Sequence, residues 1–130
     1  MSLEKGWAEP RPAEDDDWAR WQLDPLQEID FAVHIHYLNQ YIPRGSAVLE
    51  VGAGAGRFTR ELAQLTDHIV VVDRSAEKLL RNQRNAEAAG YARAVRAWYE
   101  GDMRKLPPEL SNDAFDAVVC LGGPLSYVLD

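Results

Sequence analysis

A chain of 130 residues, 46% of them hydrophobic, can bury one core and is short for an α/β enzyme. Its net charge of -7, with no clustered basic stripe, disfavours nucleic acid as a partner, and its single cysteine, Cys120, excludes an internal disulfide framework. No apolar run approaches the ~20 residues that span a bilayer and the charged N-terminus has no signal-peptide core, so a soluble chain in a reducing, cytoplasmic compartment is expected.

Residues 1–24 carry seven acidic and three basic side chains, a net -4 concentrated around Glu14-Asp15-Asp16-Asp17, with Pro10 and Pro12. This composition reads as an arm rather than core, followed by one domain over 25–130. Trp7, Trp18 and Trp21 lie in the arm, and two readings stand: anchors that pin it to the domain, or part of a lid over a substrate.

Asp24-Pro25 has the form of a helix start, with an N-cap acid, proline at the first helical position and Gln27 where a capping box places it. Ile29, Val33, Tyr37 and Tyr41 form the predicted apolar stripe, and Pro43-Arg44-Gly45 stops the helix. His34 and His36, two apart, point to different sides of a helix and cannot share a metal ion. No metal site is expected.

The organising stretch is Ala47-Val48-Leu49-Glu50-Val51-Gly52-Ala53-Gly54-Ala55-Gly56-Arg57-Phe58. Val48, Leu49 and Val51 predict a short buried strand; the alternating glycines predict a tight turn; Phe58, Leu62 and Leu65 continue at helical spacing. Glycine admits positive φ and lets a ligand lie directly on the turn, facing the amides of the following helix. A dinucleotide fold needs Gly-x-Gly-x-x-Gly, and here its third glycine is replaced by Arg57. Glu50, two residues before Gly52, would repel a pyrophosphate and suits a cationic or amine-bearing ligand.

Ile69-Val70-Val71-Val72 is a continuous β-branched run, as in a strand buried on both faces of a parallel sheet, and it ends at Asp73. That acid lies 21 residues beyond Gly52, where the second strand of a βαβ unit presents a carboxylate to a ribose. Its placement supports an adenosyl ligand without deciding which one. Ser75 is placed to cap a third helix that ends at Gly90; Arg74, Lys78, Arg81 and Arg84 fall near one face of it and read as a solvated surface. Ala94 to Tyr99 predicts a third strand, followed by Gly101-Asp102-Met103. After the loop Leu106-Pro107-Pro108, residues 115–121 predict a fourth strand, in whose apolar run Cys120 is a small core residue rather than a nucleophile.

Taken together, Glu50 with Gly52, Gly54 and Gly56, then Asp73, then Asp102 with Met103, then Phe115-Asp116-x-Val118, resembles the motif series of the class I S-adenosylmethionine-dependent methyltransferases. The resemblance covers roughly Ser46 to Tyr127. It implies a doubly wound, Rossmann-like parallel sheet, of which strand order 3-2-1-4 is present and strands 5, 6 and 7 are missing. It further implies that the cofactor is S-adenosylmethionine, held by Glu50, Gly52, Ala53, Gly54, Gly56, Asp73, Arg74, Asp102, Met103 and Leu121. In that family the glycine turn and its acid hold the methionine part, the second acid the ribose, and an acid followed by a free amide the adenine.

The segment Gly122-Gly123-Pro124-Leu125-Ser126-Tyr127 lacks the Asn/Asp-Pro-Pro-aromatic signature of base amino methylation. A small-molecule or protein nucleophile is therefore the expected acceptor. No catalytic acid or base is named by the residues; Tyr127 is the nearest candidate and reads more readily as a packing aromatic. Two further readings stand beside methyl transfer: a fragment or pseudoenzyme that binds the cofactor without turnover, and a nicotinamide oxidoreductase, which Arg57 and Glu50 disfavour. A bare fourth-strand edge is a liability that proteins cover or pair, so the chain is expected to be a fragment of a longer protein or to form a homo-oligomer over that edge.

Overall fold

The computed structural model describes residues 25–111, 114–122 and 125; the acidic arm with its tryptophans, and Tyr127, lie outside the described residues. Helix α1 (Pro25–Tyr41) leads into β1 (Val48–Val51), α2 (Arg57–Leu62), β2 (Ile69–Asp73) and α3 (Ala76–Ala89). A single 3₁₀ turn (Ala92–Ala94) then precedes β3 (Val95–Glu100), the short α4 (Pro108–Ser111) and β4 (Ala117–Val119). All four strands are parallel, in the order β3-β2-β1-β4, the doubly wound arrangement expected from the sequence.

Alternation along the strands divides the core in two. Val48, Ile69, Val71, Val95 and Val119 face the first core, which is filled by Leu38, Phe58, Leu62 and Leu79 from the helices and by Ile42 just after α1. Leu49, Val51 and Val72 face the other way and are covered by Leu110 of α4, with Met103, Leu106 and Phe115 packed around them. The second face is thus sealed by the β3–β4 connection, and where Leu106-Pro107-Pro108 predicts plain loop, Pro108 starts a helical turn that buries Leu110.

Helix ends follow their local chemistry. The Ser75 hydroxyl accepts from Lys78 N at 3.2 Å, and Gly90 closes α3 at φ 81°, a left-handed conformation that glycine adopts without strain. Strand β4 is three residues long, shorter than the predicted run over 115–121. Its register is set just before it, where Asp116 Oδ2 accepts from Ala47 N and Asp116 N donates to Ala47 O, both at 2.8 Å. Phe115 turns into the second core.

The apolar stripe predicted for α1 is corrected by the structure. Ile29, Val33, Tyr37 and Tyr41 are exposed, whereas Leu38 and Ile42 are buried and Phe31 and Ile35 pack against the same core. Both faces of α1 are apolar, so spacing alone could not choose between them; contact with Phe58 decides it, through a 5.5 Å stack with Phe31. Between the exposed face and β4 runs a groove of about 540 Å³ whose lining includes Val33, Tyr37, Tyr41, Val118, Cys120 and Leu121. Among the described residues β4 pairs only with β1, and Val118 is 65% exposed. Cys120 is therefore half-buried at a groove wall, and that burial raises its thiol above the ordinary cysteine range.

Two substitutions separate the packing terms. Leu62, at 0% exposure, is expected to cost about 2–5 kcal/mol when cut to alanine. Tyr91 buries a hydroxyl with no hydrogen-bond partner among the described residues, so Tyr91→Phe is expected to be neutral or stabilising, by up to ~1 kcal/mol. Urea denaturation of the two variants beside the parent chain checks both; a Tyr91→Phe loss comparable with Leu62→Ala would refute the second.

Candidate functional site

The turn between β1 and α2 lies at the C-terminal end of the sheet, where β1 separates β2 from β4. At this point the connections leave the sheet in opposite directions, and open α/β folds bind their ligands in such crevices. Gly52, Gly54 and Gly56 have φ of 70°, 56° and 100°. A Cβ on Gly54 would meet nothing within 4 Å, whereas one on Gly56 would come to 3.1 Å of the Asn82 side chain. The turn is therefore open above Gly54 and closely packed beneath Gly56.

Asp73, at the end of β2, holds this turn directly. Its Oδ2 accepts from Gly54 N and its Oδ1 from Ser75 N, each at 2.8 Å, and the side chain is almost fully buried. The first glycine is tied to the same strand, through Gly52 N donating to Val72 O at 2.8 Å. The end of β3 joins in, with Gly101 N donating to Asp73 O at 3.0 Å.

Glu50 lies beneath the turn, at 2% exposure, and accepts from the Thr59 hydroxyl at 2.5 Å. Burial pushes its pKa up to about 8; the negative charge of Asp73 adds to the rise, and the Thr59 hydrogen bond offsets part of it. Burial thus works against the fixed negative charge expected at this position. A cation brought next to it would reverse the balance, because an opposite charge stabilises the ionised carboxylate. The residues therefore fit a ligand that carries an amine against the turn.

The other expected site residues divide. Glu50, Gly52, Ala53, Gly54, Gly56 and Asp73 form one cluster. Asp102 stands at the end of β3 with its carboxylate engaged by Arg104, whose Nε reaches both oxygens at 3.0 Å and whose Nη2 reaches Oδ2 at 2.6 Å. These bonds, with a smaller contribution from the exposed Arg74, hold the Asp102 carboxyl well below the usual carboxylate range. Met103 turns its side chain into the second core, and Leu121 packs against the first core just beyond β4.

Sequence reasoning missed Thr59, Asn82, Asn85, Trp98 and Arg104. An asparagine inside a helix is a weak helix former whose side chain seeks a local partner, and that was the available signal for Asn82 and Asn85. Arg57, which breaks the dinucleotide pattern, is used structurally: its Nη2 donates to Gln27 O at 3.1 Å and its guanidinium lies 4.4 Å from the Phe31 ring centre. It fastens α1 to the start of α2. Since α2 has only six residues, the site depends on the turn and its supports rather than on a long helix dipole.

A Rossmann-like sheet with a glycine turn and two acids at its switch point defines a class of cofactor-binding α/β domains. Residues 48–130 match the family described as "Methyltransferase domain", and the chain belongs to that family. No curated protein matches it. Among solved structures it is similar to the YcgJ protein of Bacillus subtilis (25% identity, 72% of this chain and 37% of that one, TM-score 0.59). It is also similar to EvdMO1 (28% identity, 78% and 24%, TM-score 0.63). A third, an S-adenosylmethionine-dependent methyltransferase of Thiobacillus denitrificans solved with S-adenosylhomocysteine, is 23% identical over 72% of this chain and 36% of that one, with TM-score 0.55, and supports the fold alone. The chain thus spans little more than a third, at most, of these three solved chains.

The buried carboxyl predicts a pH signature. Folded Glu50 binds its proton more tightly than the unfolded chain does, so its contribution to stability is fully present below about pH 4.5 and is lost as pH rises to about 8. Glu50→Gln cannot ionise. In urea melts from pH 5 to 8.5 the variant is expected to gain on the parent chain steadily as pH rises; parallel stability curves would refute the assignment.

Proposed function

We propose that this chain is the cofactor-binding part of an S-adenosylmethionine-dependent methyltransferase. The observation that carries this reading is the Asp73–Gly54 hydrogen bond at the strand switch point, which locks a positive-φ glycine turn over the buried Glu50. Membership of the methyltransferase domain family supports it. Glu50 and the turn residues Gly52, Ala53, Gly54 and Gly56 would hold the amino-acid end of the cofactor. Asp73 and Arg74 would hold its sugar, and Asp102, Met103 and Leu121 its base and flank. Bound there, the sulfonium supplies an electrophilic methyl group, so the chain's own task is to orient it and exclude water rather than to donate a proton.

The acceptor we infer is a small molecule or a protein side chain, since the net charge of -7 offers no broad attraction to nucleic acid. Cys120 is a free thiol, which suits a reducing, cytoplasmic setting. No helix among the described residues is long and apolar enough to cross a membrane. The exposed α1 stripe and the β4 edge form one apolar face, which a second copy or further strands would cover. The second reading is a module that binds the cofactor without transfer.

Calorimetry with S-adenosylhomocysteine tests the binding half of this reading. One site per chain is expected, with affinity lowered about tenfold or more in Asp73→Ala, whose carboxylate makes two charge-assisted bonds in the site. Tighter binding of NADH than of S-adenosylhomocysteine would overturn it. Transfer of a labelled methyl group to small-molecule and peptide acceptor pools then separates enzyme from binding module.

A further inference from the structure

Helix α3 sends two side chains under the glycine turn that the cofactor assignment does not use. Asn82 and Asn85 are three residues apart and so lie on one face of the helix. Asn85 Nδ2 donates to Ala55 O at 2.9 Å. Asn82 Nδ2 donates to Gly54 O at 3.2 Å and to Thr59 Oγ1 at 3.1 Å, spending both of its N–H bonds. Thr59 passes its own proton toward Glu50. Asn82 is 0% exposed, and a Cβ on Gly56 would press against its side chain at 3.1 Å.

An asparagine amide has a donating and an accepting end, and turned over it would set its oxygen against the Gly54 carbonyl. Trp98, on β3, decides between the two. An indole N–H can only donate, and Trp98 Nε1 lies 3.1 Å from Asn82 Oδ1, so the amide nitrogen must face the turn. Gly54 is then held from two sides, its N–H by Asp73 and its C=O by Asn82. A glycine is the residue least able to hold its own conformation, and here each of its peptide groups is fixed from another element.

We propose that Asn82 and Trp98 are positioning residues that hold the Gly52–Gly56 turn in its ligand-ready conformation before the ligand arrives, Trp98 acting only by orienting the Asn82 amide. This rests on the cofactor reading of the turn for its consequence in binding, but not for its consequence in the free chain. A preordered turn binds more tightly because less freedom is lost on association.

Two measurements on the full chain test it. In the first, amide hydrogen exchange is followed by NMR without ligand. Gly52, Gly54 and Gly56 all donate from their backbone N–H, so their exchange reports the turn. Trp98→Phe and Asn82→Ala are expected to speed it about tenfold or more, while Val71 and Val72 stay protected. In the second, S-adenosylhomocysteine affinity is expected to fall about threefold to tenfold in each variant, the range for one neutral hydrogen bond. The double variant should lose no more than Asn82→Ala alone.

Unchanged turn exchange in Trp98→Phe, or losses that multiply in the double variant, would overturn the proposal. Should the parent chain bind no S-adenosylhomocysteine, the cofactor reading fails, and the exchange of the turn amides still decides the positioning role. Should Asn82→Ala not fold, Trp98→Phe carries the exchange measurement by itself.

Discussion

A carboxyl group placed under a turn with no side chains is the constraint on which the rest of this structure depends. Glu50 is on a central strand, flanked by β2 and β4, and is almost wholly buried. A buried carboxyl must be hydrogen-bonded, and its charge state is decided by what surrounds it. Thr59 supplies the bond, Asn82 bonds Thr59, and Trp98 orients Asn82, so one acid on β1 is supported by groups from α2, α3 and β3. The same chain of bonds reaches the turn, because Asn82 also holds Gly54. Fold stability and site geometry therefore share their parts.

That sharing explains the unequal roles of the acids. Burial raises the proton affinity of Glu50, while Asp73, also buried, is spent on two backbone amides and stabilises the loop as it stands. Asp102 is exposed to solvent and paired with Arg104, so its charge is secured without burial. Three carboxylates at the ends of neighbouring strands would repel one another if all were charged and unpaired. The fold avoids this by a different means at each position.

The described residues cover the two faces of the sheet unequally. One sheet face is covered by three helices and the other by the short β3–β4 connection, and α1 has apolar side chains on the face turned away from the core as well. An apolar strip along α1, continuous with the groove beside β4, stands at the opposite side of the sheet from β3. The cofactor-type turn is complete without that side, because each of its supports comes from elements β1 to β3.

Local chemistry made much of this legible in the residues alone. The β-branched run of β2, the proline start of α1, the Ser75 cap and the Gly90 stop each act within a few residues, so sequence determined the elements and, through their alternation, the parallel sheet. The glycine spacing marked the positive-φ turn for the same reason: turn geometry is a short-range property. What sequence could not determine was set between elements distant along the chain. Only packing against Phe58 chose the inner face of α1, and only the meeting of Asn82 with Trp98 and Thr59 revealed what holds the turn. Only enclosure by the finished fold raised the proton affinity of Glu50, because burial is a property of the whole assembly and no residue carries it alone.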